Sequence, residues 1–459
     1  MRLSLSRTVS TSALALALGT LPALAQEQFP ATLAGHAMLP AATFAPAPAD
    51  APVYFQTSGR FTGPGNQRDD SLYTREGQTW LSAEGAPRTT GMYLPFVGQP
   101  VQGFSGISTL DDGTYLVLTD NGFGSQRNSA DTLLMFHQVA PDWDSGRAAL
   151  LETIFLSDPN HVLPFPIVTE VTDTRYLTGA DFDLESIQPV GDWIWFGEEF
   201  GPYIFATNQA GEVVAFFQTE VGGEIVHSPD SHHLSAPSAP AHLPFDVRRS
   251  RGFEGMAASV DGTMLYPMFE APLLDPETGE AETQDGVPFV RVLEFDIADQ
   301  TFTGNEHRVR FDAPNHFVGD FNMISDTHGL YIERDGGEGD PRLACTGEPT
   351  VDCFNAPAEY KRVWLLDFGA TDADGFVQRL GYVDLLDIAD QDGVALHGTI
   401  DGVFTFPMVT IEDVDMVDAD HIIVANDNNL PYSTGRAHGQ ADHNEFILLY
   451  VPEFLAQIQ

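Results

Sequence analysis

One plan recurs five times along this chain, and it restricts the fold more than any other feature. Each copy has an apolar residue, a polar one, a short strand, a turn, and a second strand ending in acid. The copies run from Phe104-Ser-Gly-Ile107 to Thr119-Asp-Asn-Gly122, and from Leu184-Glu-Ser-Ile187 to Gly197-Glu-Glu-Phe200. The third runs from Phe253-Glu-Gly-Met256 to Met268-Phe-Glu270, and the fourth from Phe321-Asn-Met-Ile324 to Ile332-Glu-Arg-Asp335. The last runs from Ile411-Glu-Asp-Val414 to Ala425-Asn-Asp-Asn-Asn429. Their polar residues stand at 105, 185, 254, 322 and 412, at intervals of 80, 69, 68 and 90 residues. A period this long holds four strands with generous loops, and repeated stacking of one such unit predicts an all-β fold of the β-propeller type. The wrap-around interval of 126 residues leaves room for one more blade drawn from both termini. Six blades are therefore expected, and five or seven are also compatible. Two stacked β-sandwiches are the competing arrangement, but this repeat is not their signature.

Helical periodicity is almost absent. Short apolar runs such as Tyr115-Leu-Val-Leu118, Trp193-Ile-Trp-Phe196 and Val363-Trp-Leu-Leu366 are punctuated instead by Asp-Gly and Gly-Asp turns. If each copy is an antiparallel hairpin, the start of its first strand and the end of its second lie at one open end. That geometry pairs Ser105 with Asp120, Glu185 with Glu199, Glu254 with Glu270, Asn322 with Glu333, and Glu412 with Asp427. Eight of these ten positions are acidic, whereas Asp and Glu make up 66 of the 459 residues. Carboxylates held close repel one another and need a cation or shared protons. Oxygen donors without His or Cys select Ca²⁺ over zinc or copper. The expected ligands are Glu185, Glu198, Glu254, Glu270, Glu333, Glu412 and Asp427, with Asp120, Glu199 and Asp427 as candidate catalytic carboxylates. Each acid taken singly could instead cap a loop.

Charge excludes whole classes of partner. Against 21 basic residues stand 66 acidic ones, a formal charge of -45, and Lys361 is the only lysine. Such a surface repels nucleic acid and anionic lipid, so the expected partner is a small-molecule ester. Oligomeric state is not legible. At the start of the chain, Arg2 and Arg7 precede the apolar run Ala13 to Leu24, and Ala23-Leu24-Ala25 gives a cleavage pattern. A signal peptide cut after Ala25 and a periplasmic or secreted location are expected. Residues 26 to 60, rich in Ala and Pro, read as an extended lead-in to one domain over residues 61–459. Cys345 and Cys353 enclose a short loop and in an oxidising compartment would form a disulfide.

Several motifs fall in an order that resembles the phytase-like domain family. They are Gly103-Phe-Ser-Gly-Ile107, Leu118-Thr-Asp-Asn-Gly-Phe-Gly124, Asn128-Ser-Ala-Asp131, Asp183-Leu-Glu-Ser-Ile187, Gly197-Glu-Glu-Phe-Gly-Pro202, Phe253-Glu-Gly-Met-Ala257 and Ala425-Asn-Asp-Asn428. The resemblance runs from about Gly91 to Tyr450. It implies an exported bacterial protein with esterase-like activity, akin to six-bladed propeller phytases that hold phosphate esters with calcium. Those phytases set Lys and Arg beside the metal. With one lysine here, arginines would serve: Arg127, Arg251 and Arg334 are the candidates, with Arg334 better read as neutralising a neighbouring acid. Ser105 and Asn426 complete the expected substrate contacts.

Three functions remain open at this level. The first is calcium-dependent hydrolysis of a phosphate ester. The second is a propeller lactonase or carboxylesterase in which Asp427 and Asn426 handle the proton. The third is a binding propeller whose calcium is structural. A serine nucleophile is not expected, because Gly103-Phe-Ser-Gly106 lacks the spacing of a nucleophile elbow.

Overall fold

The computed structural model describes residues 27–234, 245–275 and 278–458. The expected signal peptide lies outside the described residues. Within them one short α-helix, Pro452–Leu455, and three single-turn 3₁₀ helices accompany an otherwise all-β chain, and no helix is long and apolar enough to cross a membrane.

Twenty strands make five antiparallel four-stranded units, four of them meanders in chain order, and edge pairings such as Arg147 with Met38 join the first unit to the fifth. The first sheet is built from Phe104–Thr109, Tyr115–Thr119, Met135–Asp142 and Arg147–Phe155. Leu184–Val190, Trp193–Glu198, Tyr203–Asn208 and Val213–Gln218 make the second. The third has Phe253–Ala258, Met264–Phe269, Val287–Asp296 and Thr301–Arg310. The fourth has Phe317–Met323, His328–Arg334, Lys361–Thr371 and Val377–Asp384. The fifth takes Asp413–Met416, His421–Ala425 and Asn444–Tyr450, and is completed by Thr32–Leu39 from the opposite end of the chain.

Each sheet buries both faces, which explains the continuous apolar runs in the sequence. In the fourth sheet, Leu330 and Ile332 pack toward the fifth, beside Val414 and Ile422. Tyr331, pointing the other way, packs toward the third beside Val290 and Val292. Leu118 and Phe136 of the first sheet meet Leu184 and Phe196 of the second, and Trp195 meets Phe253 and Phe295 of the third. Phe104 and Val117 of the first sheet meet Ile423 and Phe446 of the fifth, and this fifth interface closes the ring. The sheets pack face to face in a propeller-type ring.

One expectation is corrected here. The lead-in at 26–60 is not separate from the domain, because Thr32–Leu39 pairs along its length with Asn444–Tyr450. The wrap-around interval has two parts. Its N-terminal part supplies that closing strand and then a small cap, in which Arg75–Gln78 pairs with Thr89–Leu94. In the loop after His328–Arg334, Cys345 and Cys353 are joined as expected, with their Cα atoms 5.0 Å apart.

Candidate active site

The inner strand of four sheets carries a bulge at its first residues. In the second sheet Leu184 faces Glu198 and Ser186 faces Gly197, which leaves Glu185 unpaired between them. Phe253 and Gly255 flank Glu254 in the same way, and Val318 and Asp320 flank Gly319. The first sheet bulges between Phe104 and Ile107. A bulge bends the strand and re-aims the extra residue, and here it turns those side chains toward the ring axis. One residue beyond the paired end of the second strand stand Asp120, Glu199 and Glu270, and in the fourth sheet the matching residue, Arg334, pairs with Phe317.

These positions line a cavity of about 240 Å³ at one end of the ring. Eight carboxylates face it: Asp120, Asp183, Glu185, Glu199, Glu254, Glu270, Glu412 and Asp427. Two cations, Arg251 and Arg334, share the lining. They are not spread evenly. Arg334 Nη2 sits 3.0 Å from Glu254 Oε1, 3.0 Å from Glu270 Oε1 and 2.7 Å from Glu412 Oε1. Arg251 Nη1 lies 2.8 Å from Glu270 Oε2, and Ser105 Oγ donates to Glu412 Oε2 at 3.2 Å.

The other half of the cup has little compensation. Asp120, Asp183 and Glu185 bring one oxygen each within 4.8 Å of one another, and so do Glu185, Glu199 and Glu254. Glu185 belongs to both triads. Glu199 Oε1 is buried without a hydrogen-bond partner. Burial first, then the neighbouring carboxylates, pushes Asp120, Glu185, Glu199, Glu254 and Asp427 well above the usual carboxylate range. Groups so placed must bind protons or a cation. An all-oxygen donor set with an orphaned carboxylate oxygen fits a hard cation such as Ca²⁺.

Most of the expected site is assembled. Asp120, Glu185, Glu199, Glu254, Glu270, Glu412, Asp427 and Arg251 all line the cavity. Five expected residues lie elsewhere, among them Ser105, whose hydroxyl donates to Glu412 instead of lining the cavity. Glu333 points to the opposite face of its strand, where His316 (2.7 Å), Arg379 (2.6 Å) and the Tyr331 hydroxyl (2.8 Å) surround it. Burial would raise its carboxyl, but Arg379 and His316 hold it below the usual range. Glu198 accepts the Phe200 and Gly201 amides at 2.8 and 2.7 Å and so closes the turn after its strand. Asn426 donates to the carbonyls of Asp427 and His443 and accepts the Glu445 amide. Arg127 is exposed and outside the lining.

The fourth sheet departs from the other four. The bulged residue that matches Glu185 and Glu254 is Gly319, not Asn322. A Cβ at Gly319 would come within 2.1 Å of the Ile411 carbonyl oxygen, so no side chain fits. Asn322 sits deeper, donating to the carbonyls of Ile107 and Val414 at 3.1 and 2.8 Å. This sheet therefore gives the cup Arg334 and Phe317 in place of an acid pair. Sequence reasoning also missed Asp183 as a site residue. Its amide partner, Glu199, matches the way Asp120 bonds to Gly103 and Glu270 to Gly252, so the equivalent positions hold glycine.

A model of the phytase-like family, described as the esterase-like activity of phytase, matches residues 99–430. The chain belongs to this family. The match spans all five inner strands of the phytase-like ring, and the family's description supports a hydrolase. No curated protein matches this phytase-like chain. Among solved structures it is similar to a 6-phosphogluconolactonase, so far putative, from Bacteroides uniformis, with 11% identity, 76% of this chain and 88% of that one covered, and a TM-score of 0.32. It is also similar to a periplasmic gluconolactonase from Pseudomonas aeruginosa, with 11% identity, coverage of 82% and 99%, and a TM-score of 0.28. The PQQ-bound aldose sugar dehydrogenase of Streptomyces coelicolor gives 12% identity, coverage of 76% and 95%, and a TM-score of 0.31. Likenesses this distant say nothing of activity.

A second group of possible ligands, His36, His397 and Glu445, lies under the fifth sheet. Its hydrogen bonds are already complete. Arg436 Nε and Nη2 reach the two Glu445 oxygens at 3.0 and 2.7 Å, and His397 and His36 reach them at 2.9 and 3.2 Å. His36 Nδ1 accepts the Leu396 amide, which leaves the proton on the nitrogen that faces Glu445. No lone pair is left there for a metal.

Proposed function

We propose that this chain is an exported, five-bladed, calcium-dependent hydrolase of phosphate esters. The observation that carries the reading is the pair of carboxylate triads sharing Glu185, beside a wall that holds Arg251. Asp120, Asp183, Glu185 and Glu254 would hold the cation. Bound there, calcium would supply the positive charge that lets an anionic ester enter an acidic cup and that offsets charge developing on its oxygens.

The chain's own groups divide the remaining work. Arg251 is held by Glu270 while its side chain stays one-third exposed, so its other N–H groups can donate to ester oxygens. Arg334 is spent on three carboxylates and frames that wall rather than meeting substrate. Glu199 Oε1, without a partner, can take a proton from the attacking water. Water's oxygen then joins phosphorus as the ester P–O bond breaks, and the leaving oxygen takes a proton from solvent or from Asp427 across the cup. The cysteine pair fits an oxidising compartment.

The lactonase alternative loses support at one point. It needs Asp427 and Asn426 side by side at the cavity, and Asn426 is buried away from it. The test is turnover of phytate, p-nitrophenyl phosphate and p-nitrophenyl acetate with calcium and with chelator. Phosphatase activity that chelator abolishes is the expected result. Carboxylesterase activity alone would replace this reading with the second. Inactivity on all three, with chelator lowering only the melting temperature, would leave a binding propeller.

A further inference from the structure

The cup is polar on every wall but one. Trp80 lines it and keeps 55% of its surface exposed. The other large aromatic of the lining, Phe317, is covered by Arg251 and Arg334, whose guanidinium carbons lie 4.5 and 5.7 Å from its ring centroid. Trp80 is braced from behind. Its indole stacks on Tyr432 at 5.3 Å and 24°, and its amide donates to the Tyr432 carbonyl at 3.3 Å. The preceding Thr79 hydroxyl donates to buried Glu338 at 2.8 Å. Gly124, at φ +78°, borders the indole, and a Cβ there would lie 3.3 Å from its Cζ2. A rigid but wet aromatic face at the mouth of a charged site is an arrangement that stacks a ring.

We propose that Trp80 is a specificity-determining platform for the ring of an aryl or sugar ester whose ester group lies on the carboxylate floor. This rests on the hydrolase reading above. A linear alcohol has no flat face to offer the indole.

The experiment compares phenyl phosphate, glucose 1-phosphate and ethyl phosphate on the calcium-loaded full chain, with Trp80→Ala and Trp80→Phe. Equilibrium binding of phenyl phosphate is measured by calorimetry alongside. The expected result is a fall of about tenfold in the kcat/KM preference for a ring ester over ethyl phosphate in Trp80→Ala, carried by KM and largely restored in Trp80→Phe. Which ring ester loses more tells an aryl group from a sugar. Hydrolysis with the same preference in Trp80→Ala overturns the platform and leaves the hydrolase. Trp80-dependent binding without hydrolysis keeps the platform and overturns the hydrolase reading. No binding of any ester overturns both.

Discussion

Two buried acid clusters in this molecule solve opposite problems. Around Glu445, one carboxylate is met by Arg436, His36 and His397, and each of its oxygens accepts from one arginine nitrogen and one histidine. In the cup, eight carboxylates share two arginines, and Glu199 Oε1 has no partner at all. The first cluster is complete as folded and breaks when a partner is removed. The second is complete only when something is added. That difference separates a structural acid from a functional one more reliably than burial does, since both are buried.

The largest effect should come from breaking the complete cluster. Glu445→Gln leaves Arg436 buried without its anion and should cost about 3–5 kcal/mol in urea unfolding, with or without calcium. A cost below 1 kcal/mol would mean that the cluster is not an ion pair in solution. The matching change in the cup, Glu185→Gln, should behave differently. In chelator it should cost nothing or stabilise slightly, because it relieves repulsion. It should also remove the calcium-dependent gain of the wild type, about 2.7 kcal/mol at a calcium concentration 100 times Kd.

Acid titration sharpens the contrast. Burial alone would raise the Glu445 carboxyl, but Arg436, with His36 and His397, holds it well below the usual value. Its stabilisation is therefore present above the unfolded carboxylate value of about pH 4.3 and is lost as pH falls below it. The cup carboxyls are raised, so their contribution is present below about pH 4.3 and is lost as pH rises. In chelator, wild-type stability should fall from pH 5 to pH 8, and calcium should flatten that slope. An identical slope with and without calcium would contradict this. The smallest effect is expected at Arg127, which is exposed and outside the cup. Arg127→Ala should change kcat/KM less than twofold, whereas Arg251→Ala should lower it at least tenfold.

How far the sequence could be read depended on which local signal each element carried. The ring and seven of the eight cup acids followed from the repeat and from hairpin geometry. The fourth copy misled because Phe321-Asn-Met-Ile324 mimics the repeat three residues after the true one, Val318-Gly-Asp-Phe321. The mimic put Glu333 in the cup. With a side-chain period of two, the residue that reaches the cup is its neighbour Arg334. Asp183 stayed hidden because its counterparts Gly103 and Gly252 carry no side chain. The closing strand Thr32–Leu39 was masked by its Ala- and Pro-rich surroundings, and its partner lies more than 400 residues away in the sequence. Trp80 could not be placed, because the cap that brings it over the cup bears no resemblance to the repeat.

The central claim is that the cup is completed by a cation held on Glu185. A calorimetric calcium titration of wild type and Glu185→Gln tests it most directly. The account predicts saturable binding in the wild type and at least a tenfold loss of affinity in the variant. Equal affinity in the two proteins, or no calcium binding in either, would contradict it.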